Sequence, residues 1–433
     1  MTLRRVAITG LGAVSPLGND VASTWQALLN GVSGVANIAQ FDASAFPTTI
    51  AAEVKNFTLH PSLLTKHNRF MMPFTAFALE AARQAMVDAN LYPLAVDANR
   101  FGVVVGSGMM TAEFEYLQRF QQHAALNGVI DWSKLQHNAV DFYRLKDFGK
   151  TTSNSGLALL IQQFGLKAYA SSVHTACASG GQALGLAMQV IRRGDADYML
   201  AGGFDSMINP LGLSSFCLLG ALSTYNDTPT TASRPFDATR NGFVLGEGAA
   251  FLVLEAWDKA IERGATIYAE LAGEGNTLSS YRITDSPPDG SGASQAIEQA
   301  LRAANVLPAE VDYINAHGTS TKMNDLSETN AIKSVFGKHA TYLPVSSTKS
   351  QTGHLIAAAG ALEAVFSVLT IKYATIPMTA NYTTPDLECD LDYVVDGVRE
   401  RSVGVAVSNS FGFGGSNSCL VFKHPEWREH KHA

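Results

Sequence analysis

The chain repeats itself. Residues 84–97 read QAMVDANLYPLAVD and residues 299–312 read QALRAANVLPAEVD, identical at seven of fourteen positions and offset by 215 in a chain of 433. Each copy has the same local order: a helix-forming run ending near Asn, a Pro turn, then a β-prone run (Phe101 to Gly106; Tyr313 to Ala316). Asn and Pro both favour stopping a helix there, so the repeated order is structural as well as literal. We read two copies of one α/β unit with a boundary near residue 260, giving halves 1–260 and 261–433. Two such halves are expected to pack together and to place a site between them.

The rest of the chain alternates strands and helices. Val6–Gly10, Val103–Gly106, Tyr198–Gly202 and Gly404–Ser408 are near-continuous apolar runs. Helices are expected over 73–90, 178–193, 292–305 and 355–373. Strands without polar alternation belong to a sheet covered on both faces. A hydrophobic share of 46% against 16% charged residues supports a large core.

Several classes are disfavoured. The net charge of −7 argues against nucleic acid, though local basic patches could still dock an acidic carrier. Four cysteines without regular spacing make neither a disulfide framework nor a zinc site, and point to a reducing compartment. The N-terminus leads straight into a strand, and no charge-free apolar run reaches about 18 residues, so a cytoplasmic protein without a membrane span is expected. The polar tail 424–433, with three histidines, is expected to be solvated. Gly10-Leu11-Gly12 lacks the third glycine of a dinucleotide fingerprint, and Pro16 follows closely, which disfavours NAD or FAD.

The candidate nucleophile is Cys177, in Ser-Val-His-Thr-Ala-Cys-Ala-Ser-Gly-Gly. A β-prone run precedes it and a helical run follows. The first turn of a helix offers unpaired N–H groups and partial positive charge, which favour a thiolate. A lone Cys in such a place is more often an inert small hydrophobe, as we read Cys217, Cys389 and Cys419. The second half supplies possible partners. His317 lies in Asn-Ala-His-Gly-Thr-Ser-Thr, Lys349 and His354 in Ser-Thr-Lys-Ser-Gln-Thr-Gly-His, and a late loop reads Asn-Ser-Phe-Gly-Phe-Gly-Gly-Ser-Asn. Ends of α/β strands collect reacting groups, and a glycine-rich loop can present backbone N–H groups to an oxyanion.

Taken together, these segments resemble the thiolase-superfamily condensing enzymes of the β-ketoacyl-acyl-carrier-protein synthase II type. The spacings from Cys177 to His317, on to Lys349 and on to His354 are 140, 32 and 5 residues. The resemblance spans nearly the whole chain. It implies an α/β thiolase fold, five-layered αβαβα, built from two duplicated halves. It also implies an acyltransferase that runs a decarboxylative Claisen condensation. An acyl chain held on Cys177 is extended by two carbons from a malonyl-carrier thioester. Cys177, His317, His354 and Lys349 would be catalytic, with the N–H groups of Cys177 and Phe413 as the oxyanion pair and Phe413 as a gate. Glu328 would pair with Lys349, and Asp325 would support the loop. Thr319, Thr321 and Thr284 would contact the pantetheine arm, and Phe411 would line the substrate site. No metal or organic cofactor is implied, since phosphopantetheine arrives on the acyl carrier protein. A homodimer is expected, and a heterodimer with a ketosynthase-like chain-length subunit is the alternative.

Some segments depart from the family pattern. Lys322-Met323-Asn324 replaces a Pro-x-Gly turn, Ser416 replaces Thr, and Phe204 stands where a small residue is common. Residues 110–152, with Phe114, Tyr116, Phe120, Trp132, Phe142 and Tyr143, differ most. That region is expected to shape the acyl pocket and the dimer, so a specialised polyene or polyketide pathway competes with fatty acid synthesis. A degradative thiolase would use a second, late Cys as base, for which Cys419 is the candidate.

Overall fold

The computed structural model describes residues 4–108, 114–126, 128–134, 136–137, 147, 149–150, 152 and 154–427. Phe142, Tyr143, the side chain of Phe120 and tail residues 428–433 lie outside them.

Ten strands of the described residues form one sheet. The first half contributes β1 (Val6–Val14), β2 (Phe101–Ser107), β3 (Ala170–Val173), β4 (Tyr198–Ser206) and β5 (Glu247–Ala256). The second contributes β6 (Ala269–Leu278), β7 (Tyr313–Asn315), β8 (Val345–Ser346), β9 (Val405–Phe411) and β10 (Ser416–Lys423). The spatial order is β8-β7-β9-β10-β6-β1-β5-β4-β2-β3. Outward from the centre, both halves therefore run first-fifth-fourth-second-third, and the same pairs are parallel or antiparallel in each. The halves join where Ala7 and Ile8 pair with Glu270 and Ala269. Even the irregularities repeat, with a bulge between Ile8 and Gly10 in β1 and between Leu271 and Gly273 in β6.

The repeated sequence accounts for this symmetry. Helix α1 (Pro73–Asp88) and helix α3 (Ser291–Ala304) each end at an Asn with positive φ, Asn90 at 56° and Asn305 at 51°. The next amide then bonds back into the last turn, Leu91 to Met86 at 2.8 Å and Val306 to Leu301 at 3.0 Å. Both helices press on a glycine of the adjoining first strand. A Cβ at Gly12 would stand 1.9 Å from the Ala81 carbonyl, and one at Gly275 would stand 2.0 Å from that of Ala296. Gly12→Val should therefore lower stability by about 3 kcal/mol, read from the denaturant midpoint.

Three large apolar cores hold five layers together, the central one lying on both sides of the middle helices. α1 covers the outer face of the first half-sheet, and α3 with α4 (Lys322–Phe336) covers that of the second. Between the half-sheets lie α2 (Ser179–Arg192) and α5 (Ala359–Tyr373). The run Ile356–Tyr373 is apolar and long enough to cross a bilayer, yet 89% of it is buried in this central layer. β1 continues unbroken through the glycine pair to Val14, with no phosphate-binding turn at Gly10.

Candidate active site

The site forms where equivalent loops of the two halves meet. Cys177 follows β3 in a tight 3-10 turn, Ala176–Ala178, that runs directly into α2. In the other half the turn Ile356–Ala358 runs into α5, and His354 stands just before it. Both turns open on a residue with positive φ, Ala176 at 50° and Ile356 at 48°. A β-branched residue rarely adopts this conformation, so packing holds it there. His317 follows β7, and Lys349 follows β8 by three residues.

The sulfur of Cys177 and one ring nitrogen each of His317 and His354 lie within 4.8 Å of one another. The two imidazoles meet edge to face, with centroids 5.3 Å apart. Phe243 packs on His354, and Phe411 on His317. Burial holds both histidines well below the usual imidazole value, and the charge of Lys349 adds to it. They are neutral at pH 7. His354 Nδ1 accepts the Ile356 N–H at 3.2 Å, which leaves the ring proton on Nε2. That Nε2, and Nδ1 of His317, are buried without a partner.

The thiol differs from expectation. Burial pushes Cys177 up to about 12, although Lys349 and the N–H groups of Phe413 and Cys177 pull it down. Desolvation outweighs the helix N-terminus, so the resting residue is a thiol. Alkylation by iodoacetamide should accordingly be slow at pH 7 and rise about tenfold per pH unit above it, measured by mass spectrometry. Those two amides are the backbone donors nearest the sulfur that offset its burial.

A second correction concerns the charges. Lys349 pairs with Glu363, not with Glu328. Glu328 accepts the amides of His317 (2.9 Å) and Gly318 (2.8 Å) and the side chain of Asn409 (3.0 Å), which fixes the His317 loop. Its donors approach from β7 and β9, whereas Lys349 is carried by the turn after β8. Asp325 accepts the amides of Ser320 and Phe236 and lies 3.5 Å from Arg240. Glu363 and Asp205 were not singled out in the sequence. Glu363 had a signal, as the one acidic residue in the apolar run of α5.

A cavity of about 430 Å³ opens beside the cysteine. Cys177, His317, His354, Thr284, Thr319, Thr321, Phe411 and Phe413 all line it, while Lys349, Glu328 and Asp325 lie behind its wall. Lys322, Met323 and Asn324 also line it, on the first turn of α4. The loop carrying Phe413 is tied to residues 279–283 by Ser279 N–H to Gly415 and Gly414 N–H to Ile283, both 2.7 Å. Phe413 packs with Phe216, and Met207, Ile208 and Leu213 continue an apolar cluster next to Cys177. Cys389 and Cys419 are buried, Cys217 is half-buried, and none of the three lines the cavity. Phe204 stacks on Phe74 over Gly156 and does not line the cavity.

A duplicated α/β fold with a buried Cys-His-His site at the junction defines a thiolase-fold condensing enzyme, an acyltransferase. Residues 3–260 match the family model "Beta-ketoacyl synthase, N-terminal domain" and residues 268–383 match "Beta-ketoacyl synthase, C-terminal domain". The chain belongs to the beta-ketoacyl synthase family. It is 45% identical over 426 residues to 3-oxoacyl-[acyl-carrier-protein] synthase 2 of Coxiella burnetii, spanning 97% of this chain and 99% of that one. The Staphylococcus aureus protein of the same name is 41% identical over 430 residues, spanning 97% and 98%. Among solved structures, a type II polyketide ketosynthase in complex with its acyl-carrier protein and bound to a hexaketide is similar at TM-score 0.88 and 36% identity, covering 98% of this chain and 100% of that one. The ishigamide ketosynthase/chain length factor gives 0.86 and 30%, covering 98% and 99%.

Proposed function

We propose that this chain extends acyl thioesters by decarboxylative condensation on Cys177. The supporting observation is the meeting of a sulfur and two neutral imidazoles, one with its Nε2–H free, within 4.8 Å. The Cys177 sulfur attacks the acyl-carrier thioester, the carbon–sulfur bond to the carrier breaks, and the proton given up by Cys177 ends on the departing carrier sulfur, which leaves as a thiol. The N–H groups of Cys177 and Phe413 hold the tetrahedral oxyanion, each worth on the order of 3 kcal/mol. A malonyl-carrier thioester follows. Its carboxylate leaves as carbon dioxide, and the electron pair forms an enolate whose oxygen is held by His354 Nε2–H and by His317. The enolate carbon attacks the acyl thioester, and the Cys177 thiolate departs. Neutral donors suit this step, because the enolate is held without a proton being given away. Lys349 sets the charge behind the histidines without touching substrate.

The pantetheine arm runs past Thr284, Thr319 and Thr321. The acyl carrier protein brings that group, and the reaction needs neither a metal nor an organic cofactor. The chain works as a homodimer in the cytoplasm. Val129 and Trp132, 70% and 68% exposed in the divergent segment, are large apolar side chains that a subunit interface would cover. Incubating the protein with acyl-carriers of graded length and malonyl-carrier, and following Cys177 by mass spectrometry, tests this. Acylated Cys177 and a product longer by two carbons support it. Condensation that appears only when a chain-length subunit is added would move the assignment to a heterodimer.

A further inference from the structure

Asp205 is a buried carboxylate that the mechanism above does not use. It lies near the end of β4, and its Oδ2 accepts the Ala357 N–H at 3.1 Å. A Cβ on Gly108 would come within 2.2 Å of that oxygen, so the opposite loop is glycine where the carboxylate needs room.

The duplication says what this bond corresponds to. Leu200 of β4 pairs with Val253 of β5, and Val407 of β9 pairs with Val421 of β10. Val253 and Val421 in turn pair with the equivalent glycines Gly10 and Gly273. Position 205 therefore corresponds to 412. The helices superpose with the same consistency. A Cβ on Gly180 of α2 would stand 2.9 Å from Ala361 N, and one on Gly360 of α5 would stand 2.9 Å from Gly181 N. Ala357 is thus the counterpart of Cys177. In the second half, the amide at this place is capped by Asp205. In the first half, residue 412 is Gly, and a Cβ there would already be 3.2 Å from Cys177 N. The cap is absent where a substrate oxygen has to bind and present where none does.

We infer that Asp205 is a positioning residue for His354, holding the Ile356–Ala358 turn through the Ala357 amide. The inference rests on the role proposed above for His354. Two consecutive amides of this turn are spoken for: Ala357 donates to Asp205 and Ile356 donates to His354 Nδ1. The turn opens at Ile356 with φ of 48°, a conformation that relaxes unless its bonds are kept. Releasing the Ala357 amide would loosen its neighbour and with it the tautomer and aim of the imidazole.

Asp205→Ala and Asp205→Asn separate the contributions, because Asn still offers an oxygen to Ala357. Malonyl-carrier decarboxylation should fall about 10- to 100-fold in Asp205→Ala, in kcat and not in KM. Acylation of Cys177 should change less than about threefold, and Asp205→Asn should keep both reactions within about threefold. Nitrogen NMR of His354 should show the Nε2–H tautomer in the parent and in Asp205→Asn, and its loss in Asp205→Ala. If alanine does not fold, Asp205→Ser, whose hydroxyl stops short of the amide, replaces it. Undiminished decarboxylation, or acylation falling in parallel with it, overturns the inference. His354→Ala is the control: if decarboxylation survives in that variant, the role of His354 is what fails.

Discussion

Cys177→Ala should abolish condensation, a loss on the order of 10⁴-fold or more, while malonyl-carrier decarboxylation persists. The two activities part because they use different atoms. Acyl transfer needs the sulfur, whereas loss of carbon dioxide needs only a held thioester oxygen. Alanine fits the turn, since Ala178 and Ala357 occupy neighbouring and equivalent places. His317→Ala or His354→Ala should do the reverse, stopping decarboxylation while Cys177 still acquires an acyl group. Carbon dioxide release and intact-protein mass, measured on the same samples, read both. Full condensing activity without the thiol, or loss of Cys177 acylation in both histidine variants, would break this division of labour.

Glu363→Ala should cost about 3–5 kcal/mol of stability, because it strands the Lys349 ammonium in the central layer. Side chains of both residues are almost fully buried, and the two groups are in direct contact. The double variant Glu363→Leu with Lys349→Met should regain most of that stability while staying inactive, since the charge behind the two histidines is gone. Thermal unfolding of the single and double variants, set beside their decarboxylation rates, separates the two contributions. A double variant as unstable as the single one would show that the ion pair is not what Glu363 supplies.

Much of the architecture was legible because the repeat recorded it. Asn90 with Pro93 and Asn305 with Pro308 mark the same helix end in both halves, and the apolar strands announced a sheet covered on two sides. The residues that gather at the candidate site were legible through long motifs around Cys177, His317, Lys349 and His354. What escaped depended on burial and on direction. The thiolate expected of Cys177 follows from a helix start, but desolvation is the larger effect and is invisible in a string of letters. The resemblance implies that Glu328 pairs with Lys349. In the folded chain its oxygens are taken by two amides and Asn409, and the partner comes from the middle of α5. Asp205 carried no local signal, since its meaning depends on an amide 152 residues away.

The pairing of strands also sets an order of events during synthesis. β1 finds its partner β5 by residue 256, so the first half-sheet can close early. β6 must wait for β10, since Glu270 pairs with Lys423 almost at the end of the chain. Throughout that interval the long apolar helix of the central layer has been made but cannot be fully covered. Until Ser416–Lys423 are made, this helix, apolar on nearly every side, lacks the strand that completes the sheet over it. For this chain the vulnerable interval is therefore the one between completion of α5 at Tyr373 and of β10 at Lys423, when a chaperone or a neighbouring nascent chain competes with β10 for the same surface.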